Sequence, residues 1–532
     1  MYAKTLLIFL VAVTLFTTCR KDETGDATAG PTYLEQHRPQ LHFSPPTQWM
    51  NDPNGMVFFD NEYHLFYQYY PDSTVWGPMH WGHAISKDLA HWEHLPVGIA
   101  PDEKGYIFSG SAVVDWDNTS GFSDDGEPPL VAIFTYHDPE GEKSGAIDFQ
   151  SQAIAYSNDR GRTWTKYENN PVVPNPGIRD FRDPKVIWDS DNRQWIMVLA
   201  AQDKVMFYAS KDLKKWNYLS QFGKNRGAHG GVWECPDLFP VTISETGGRK
   251  WVLLVSINPG GPNGGSATQY FIGEFDGQRF RLDQEFGAEM ARQARKDTSN
   301  VAACWVDYGR DNYAGVTWSD IPQEDGRRIF MGWMSNWDYA QVVPTQLWRS
   351  AMTLPRQFQV KSTAMGPRLA QFFPQELQNI RGEKKEITIN TSPGTTHDLG
   401  VDPQKLEIIL EAATDATGSF GFELLNTKGE VYRIGYSADM QAYFSDRTKA
   451  GNHDFSEKFA QEIHYAPKQL EGVLITMHLV LDVSSAELIA DDGLTAITDI
   501  FFPTEDFTTI RFFTNEGVAV QRLDVYPLEG VW

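Results

Sequence analysis

Ser86-Lys87-Asp88-Leu89-Ala90-His91-Trp92 comes back later in the chain as Ser210-Lys211-Asp212-Leu213-Lys214-Lys215-Trp216, and a variant one residue longer, Ser157-Asn158-Asp159-Arg160-Gly161-Arg162-Thr163-Trp164, stands between them. Each copy follows an apolar run and closes on a Trp that starts another, so it reads as the turn between the last two strands of a repeated unit. Working outward, the first unit holds Gly55 to Phe59, Tyr63 to Tyr70, His80 to Ser86 and Trp92 to Leu95. The second holds Phe108 to Val114, Leu130 to Tyr136 and Ala153 to Ser157; the third holds Val186 to Trp188, Trp195 to Ala201 and Val205 to Ser210. Two further units fall near Val232 to Phe280 and Ala303 to Arg356. A repeat of about 50 residues with about four strands each is the signature of propeller blades. The expectation is an all-β chain opening with a five-bladed β-propeller, in which Trp92, Trp164 and Trp216 pack blade against blade.

The character changes after about Gln357. A connecting stretch is expected at 358–380, then alternating runs at Lys385 to Ile389, Leu406 to Ala412, Ser419 to Leu425, Glu430 to Ser437, Val473 to Val483, Ala486 to Ala490 and Thr508 to Thr514. Short alternating strands at near-regular spacing predict a β-sandwich over 381–532.

Three units share one more feature. Asp52-Pro53, Asp183-Pro184 and Glu234-Cys235-Pro236 each place an acid just before a proline at the start of an inner run. Singly, Asn51-Asp52-Pro53-Asn54-Gly55 is ordinary turn chemistry, in which Asn and Asp cap backbone, Pro fixes φ and Gly accepts positive φ. Recurrence changes the reading. The first strand of each blade lines the central channel, so the three acids converge on one mouth, with Phe108-Ser109 arriving from the second blade and Trp337 from the fifth.

Trp49-Met50-Asn51-Asp52-Pro53-Asn54-Gly55, Arg182-Asp183-Pro184 and Glu234-Cys235, in that order, resemble the signature segments of glycoside hydrolase family 32, the β-fructofuranosidases. Phe66-Tyr67-Gln68, Trp76-Gly77, Phe108-Ser109-Gly110-Ser111, Gly332 to Trp337 and Leu354-Pro355-Arg356 fall where such enzymes have similar segments, so the likeness covers roughly residues 37 to 360. The resemblance implies a five-bladed propeller over 37–357 with a funnel-shaped pocket, a C-terminal sandwich, and retaining hydrolysis of terminal fructose from fructan (levan or inulin) and sucrose. A fructosyltransferase on the same scaffold and a catalytically silent fructan-binding propeller are the alternatives.

Retaining hydrolysis needs one carboxylate to attack the anomeric carbon and one carboxylic acid to protonate the leaving oxygen. The resemblance assigns Asp52 as nucleophile, Glu234 as acid/base and Asp183 as the carboxylate that stabilises the transition state, with Arg182 beside it. The competing reading of Arg182 and Asp183 is an ordinary ion pair. Locally, Glu234 lies between Trp233 and Cys235, an apolar setting that favours its protonated form, whereas the amides of Asn51 and Asn54 are placed to hold Asp52 ionised. Asn51, Gln68, Trp76, Phe108, Ser109 and Trp337 match positions around the terminal fructose in similar enzymes; for Trp76 and Trp337 a core role competes. No His-x-x-x-His or Glu-x-x-His spacing accompanies the acids, so no metal and no cofactor are expected, and His80, His83, His91 and His94 read as structural.

Among 532 residues, 13% are aromatic and 17 are Trp, which suits both sugar stacking and large β cores. A formal net charge of −24 disfavours nucleic acid and favours a neutral substrate. Lys4 and the apolar run Thr5 to Thr18 read as a signal peptide, too short to span a bilayer, so export is expected. Cys19 closes that run where a bacterial lipoprotein signal places its lipidated cysteine, although Phe16, Thr17 and Thr18 depart from the usual pattern. Residues 20–36 read as a tether, and the only membrane contact expected is through this anchor. Cys235 and Cys304 make no disulfide framework; they are free or paired with each other. Intact-mass measurement of the native protein should give a chain starting at Cys19 and carrying more than one acyl chain, since one binds membranes only marginally. An unmodified chain cleaved elsewhere rules the anchor out.

Overall fold

The computed structural model describes residues 32–123, 125–243, 245–296, 303–389, 394–414, 417–515 and 517–532; the expected signal peptide, Cys19 and most of the tether lie outside them. From Gln48 to Phe372 the chain forms five antiparallel sheets of four main strands each. Their innermost strands are Gln48–Phe59, Tyr106–Val114, Phe181–Asp189, Val232–Thr242 and Tyr313–Thr317. Each packs against the next and the fifth packs against the first, closing a ring around a channel. Closure removes the exposed edges that an open sheet would present. One further pairing seals it, because Trp348–Arg349 runs parallel to Gln48–Trp49 at the edge of the first sheet.

The repeated turns are built the same way three times. Asp88 Oδ1 accepts from the backbone N–H groups of Ala90 and His91 at 3.0 and 2.8 Å, and Asp212 Oδ1 does so from Lys214 and Lys215 at 3.0 and 2.8 Å. Asp159 Oδ1 accepts from Thr163 N at 2.8 Å. Leu89 and Leu213 take positive φ and bury their side chains, and the indoles of Trp164 and Trp216 donate back into their own turns. Trp92 stacks on Trp318 of the fifth sheet, and Trp164 meets Phe66 of the first edge-on.

Two elements differ from expectation. The fifth sheet's outer strands are Arg356–Thr363 and Gly366–Phe372, which run into the stretch expected to be a linker at 358–380, and the connector narrows to the 3-10 turn Gln375–Ile380. Gln357, Gln359 and Lys361 make that stretch look solvated, but they alternate with buried Arg356, Phe358 and Val360 as an outer strand requires. The second is a helix at Gln284–Lys296, where Phe286 and Met290, one turn apart, bury against the fourth and fifth sheets.

Residues 385–527 form two six-stranded sheets facing one another. Leu406, Ile408 and Leu410 of one meet Phe420, Phe422 and Phe512 of the other in a continuous apolar core. Ala442–Lys449, His464–Pro467, Thr495–Ile500 and Val518–Pro527 complete them beyond the runs seen in the sequence.

The sandwich docks on the propeller through an apolar seam, Leu41, Leu354 and Phe373 against Val480 and Ile489, and through a buried ionic layer. Arg356 donates to Asp307 at 2.9 Å and to Glu487 at 2.5 Å. His42 bridges Asp482 at 2.7 Å and Glu487 at 2.8 Å, and Arg447 reaches Asp311 at 2.7 Å. Burial alone would lower the His42 pKa, but its two carboxylate partners raise it to about 9. Removing one member of such a pair leaves the other charged and unpaired in a dry interior, which costs about 3–5 kcal/mol. Arg356→Met should therefore lower the free energy of unfolding in urea by an amount of that order, while Lys428→Ala, which breaks an exposed pair with Glu505, should leave it unchanged.

Candidate active site

At one mouth of the channel all five innermost strands interrupt their ladders. Pairing skips Asn51–Asp52 in the first, Ser109 in the second, Asp183–Pro184 in the third, Cys235–Pro236 in the fourth and Ala314–Gly315 in the fifth. A bulge leaves a residue unpaired, bends the strand and re-aims its side chain. Proline, with no N–H to offer, is tolerated within a sheet at such points. The acids therefore stand inside strands, at bulges, and not on turns ahead of them as the sequence suggested. Asp183, Cys235 and Ala314 have φ of 63°, 43° and 54°, a region costly to residues with a Cβ and held only by the surrounding sheet.

These bulges surround a cavity of about 250 Å³. All ten residues singled out in the sequence line it: Asp52, Asp183 and Glu234, with Asn51, Gln68, Trp76, Phe108, Ser109, Arg182 and Trp337. Asn258 and Gln341 complete the lining. Trp76 meets Phe108 edge-on, Phe108 stacks on His137 at 4.2 Å, and Trp337 leans on Trp49 and Trp333. Gln68 is fixed by donating to the carbonyl of Ile107 at 3.0 Å.

Asp52 accepts from Ser109 Oγ at 2.7 Å and from Asn51 Nδ2 at 3.0 Å, while Trp49 Nε1 donates to Asn51 Oδ1 at 2.7 Å and so orients that amide. Asn54 does not take part as expected. Its amide donates to the backbone carbonyl of Asp52 and its oxygen accepts from Gly110 N, because its buried side chain bridges the first and second inner strands. Burial, and then the charge of Glu234, push the Asp52 carboxyl above its ordinary range despite the bonds from Ser109 and Asn51. That reverses the expectation of a carboxylate simply held ionised by amides.

Glu234 is not in the apolar setting its sequence neighbours suggested, since both of its carboxylate oxygens have polar partners. Arg182 donates to its Oε1 at 2.6 Å and the Tyr313 hydroxyl donates to its Oε2. Arg182 also pairs with Asp180 at 2.7 Å. Asp183 accepts from Cys235 N at 3.0 Å, and Cys235 Sγ lies 3.5 Å from Asp52 and 3.7 Å from Asp183, so the thiol fills the gap between two carboxyls. Burial pushes Asp183 up; Arg182 opposes this, Glu234 and Asp52 add to it, and the result is about 7.

Tyr313, Asp180, Asn258 and Gln341 escaped the sequence reading, as did the Cys235 thiol's contact with both carboxyls. Tyr313 adjoins the bulge of the fifth innermost strand, as the acids stand at the bulges of theirs. Asn258 and Gln341 stand at a strand end and in a short 3-10 turn, where no periodicity marks them.

A propeller with a sandwich behind it, and several carboxyls gathered in one small polar and aromatic pocket, is a glycoside hydrolase by architecture and by chemistry. The chain belongs to the glycosyl hydrolases of family 32, whose N-terminal domain matches residues 42–371 and whose C-terminal domain matches residues 376–527. Among its relatives, a levanase of Bacillus subtilis is 46% identical over 96% of this chain and 73% of its own length. An extracellular exo-inulinase of Aspergillus awamori is 38% identical over 94% of this chain and 96% of its own. The crystal structure of an exo-inulinase from Aspergillus awamori superposes with a TM-score of 0.83 at 35% identity, covering 94% of this chain and all of that one.

A carboxyl raised from 3.8 to about 7 on folding binds its proton more tightly in the native state, so the Asp183 contribution makes stability fall as pH rises from about 4 to 7. Asp183→Asn removes that slope. The melting temperature of the variant minus that of the parent should climb across this window and level off above it; a difference independent of pH contradicts the raised native-state value.

Proposed function

We propose that the protein is an exported, exo-acting, retaining β-D-fructofuranosidase that removes terminal fructose from fructans and accepts sucrose. The observation that carries this is the convergence of Asp52, Asp183 and Glu234 from three blades on one cavity of about 250 Å³. That volume is below the usual range of ligand pockets, about 300–1,000 Å³, and suits one sugar residue. Every blade contributes a wall to this cavity, which favours entry of a chain end over a chain middle. The levanase and exo-inulinase relatives support the same substrate class, and the extracellular relatives support export. Attachment through Cys19 belongs to this proposal on sequence grounds.

In this reading Asp52 attacks the anomeric carbon while Glu234 gives its proton to the departing glycosidic oxygen. The fructosyl–Asp52 ester is then opened by a water whose proton Glu234 takes, restoring both groups. Asp183, between the two, accepts from the fructose hydroxyls, and those bonds strengthen as the ring gains positive charge. Arg182 and Tyr313 hold the two oxygens of Glu234 and fix its direction. Asn51 and Ser109 orient Asp52, and the aromatic wall of Trp76, Phe108 and Trp337 excludes water from the ester.

Asp52→Asn and Glu234→Gln should each lower kcat by on the order of 10³-fold or more with the fold intact, since members of a catalytic unit fail together. Asp183→Asn should lower kcat by about 10²–10³-fold, as loss of one preorganised transition-state contact does. Chromatography of levan and inulin digests over time tests the mode of action. Free fructose alone from the earliest samples is expected; early fructo-oligosaccharides contradict exo action, and longer oligosaccharides growing from sucrose would make the protein a transferase.

A further inference from the structure

We propose that the outer face of the second sandwich sheet carries a second carbohydrate site, which holds an internal stretch of a β-fructan chain. The inference rests on the fructan reading of the catalytic pocket and adds a place that binds the polymer without cutting it.

The sheet runs Thr395–Asp398, Thr509–Thr514, Phe420–Leu425, Val431–Ser437, Ala442–Lys449 and His464–Pro467 in spatial order. Phe512, Phe422, Ile434, Tyr443 and Ala466 point into the sandwich core and are buried. By the two-residue period, their neighbours point outward. Register lines those neighbours up in one row across the sheet: Thr396, Phe513, Gly421, Gly435, Phe444, Tyr465.

The middle of that row has no side chains. A Cβ on Gly421 would sit 2.3 Å from the carbonyl oxygen of Ile434, and one on Gly435 would sit 2.2 Å from that of Phe420, so the close approach of these strands requires glycine at both. The two glycines are buried, and a phenylalanine leans in over them from each side. The Phe444 and Phe513 rings come within 6.5 Å between centroids, inclined at 43°, and both line a groove with Tyr465, Glu423, Arg433 and Asp446. The groove is about 420 Å³, larger than the catalytic pocket.

One step along the strands, a polar row runs parallel to the aromatic one. Glu423 pairs with Arg433 and Arg433 with Asp446 in register, and Arg433 Nε donates to Glu423 Oε1 at 2.7 Å. Apolar ring faces beside fixed donors and acceptors match a sugar chain, whose C–H faces cover aromatics while its hydroxyls both give and accept hydrogen bonds. Carboxylates flank the groove and the chain's net charge is −24, so an anionic ligand is disfavoured.

The position agrees with the chemistry. Asn258, at the start of the loop that ends at Ser266, lines the catalytic pocket. Asn263 of the same loop donates to the Tyr465 carbonyl at 3.0 Å and accepts from the Tyr465 N–H at 3.3 Å, and Tyr465 forms one end of the groove. A single loop thus joins the rim of one site to the edge of the other.

The test compares Phe444→Ala/Phe513→Ala and Arg433→Gln with the parent. In a Glu234→Gln background, affinity electrophoresis in gels containing levan or inulin should show about a ten-fold loss of polymer affinity for the double variant, the scale expected from removing two aromatic contacts. In the active enzyme, kcat/KM on levan or inulin should fall several-fold while kcat/KM on sucrose stays within about two-fold of the parent. Unchanged polymer affinity in both variants overturns the proposal; so does a change of oligomeric state by sedimentation, which would make the face a subunit contact. Should the double variant fail to fold, Arg433→Gln decides alone. A parent that hydrolyses no fructan sinks the enzymatic reading, and that result is read before any groove variant is compared.

Discussion

A strand that carries proline lacks one ladder donor, and the fold turns that deficiency into its working part. Pro53, Pro184 and Pro236 each follow an acid on an innermost strand, and at each the pairing slips. The slip releases the acid's side chain from the alternation that would otherwise send it into a neighbouring blade. Positive φ at Asp183 and Cys235 is the strained conformation that results, and it persists because the ring of five sheets leaves those residues no room to relax. Everything outside the channel mouth serves to keep the innermost strands where they are: the three Asp-centred turns, the tryptophans between blades, and the parallel pairing of Trp348–Arg349 with Gln48–Trp49.

Crowding acids together sets the electrostatics of the pocket. Burial would lower the pKa of the Arg182 guanidinium, but Glu234, Asp183 and Asp180 outweigh it, so Arg182 stays charged. One guanidinium does not neutralise the three pocket carboxyls and Asp180. The remaining repulsion is relieved by proton uptake, and Asp52 and Asp183 are both raised. Such groups titrate as a set, so the protons of the pocket belong to the constellation more than to any one side chain. A neutral ligand rich in hydroxyls fits a site of this kind, because it brings donors to the carboxyls without adding charge.

The blades were legible because their chemistry is local. Ser-Lys-Asp-Leu followed by Trp is a turn complete in itself, with an aspartate capping backbone N–H groups in all three copies, so a repeat in the sequence is a repeat in space. The acid-then-Pro recurrence carried the site for the same reason, since it marks one structural position on three strands. What the sequence hid is non-local. Tyr313 matters through an oxygen of Glu234 in another blade, and Asn54 spends its side chain bridging two inner strands, where the sequence placed it beside a carboxylate. The outer strands of the fifth sheet were read as a linker because Gln357, Gln359 and Lys361 advertise solvent, which is true of one face only.

The ionic layer between propeller and sandwich draws on the first sandwich sheet through Asp482, Glu487 and Thr498 and on the second through Arg447. Glu487 alone meets Arg356, His42 and the N–H of Leu354, and Asp307 answers from the propeller side with bonds to Arg356 and Thr498. Buried charges of this kind are poor sources of stability compared with well-packed apolar residues, but each bond is satisfied only in one docking geometry. The layer therefore specifies orientation where an apolar seam alone would tolerate sliding. With this part of the first sheet held against the propeller, the fixed docking brings the edge of the second sheet, at Tyr465, against the loop whose first residue lines the pocket. The position of the exposed groove relative to the catalytic mouth is thus a consequence of the buried charges, two layers away.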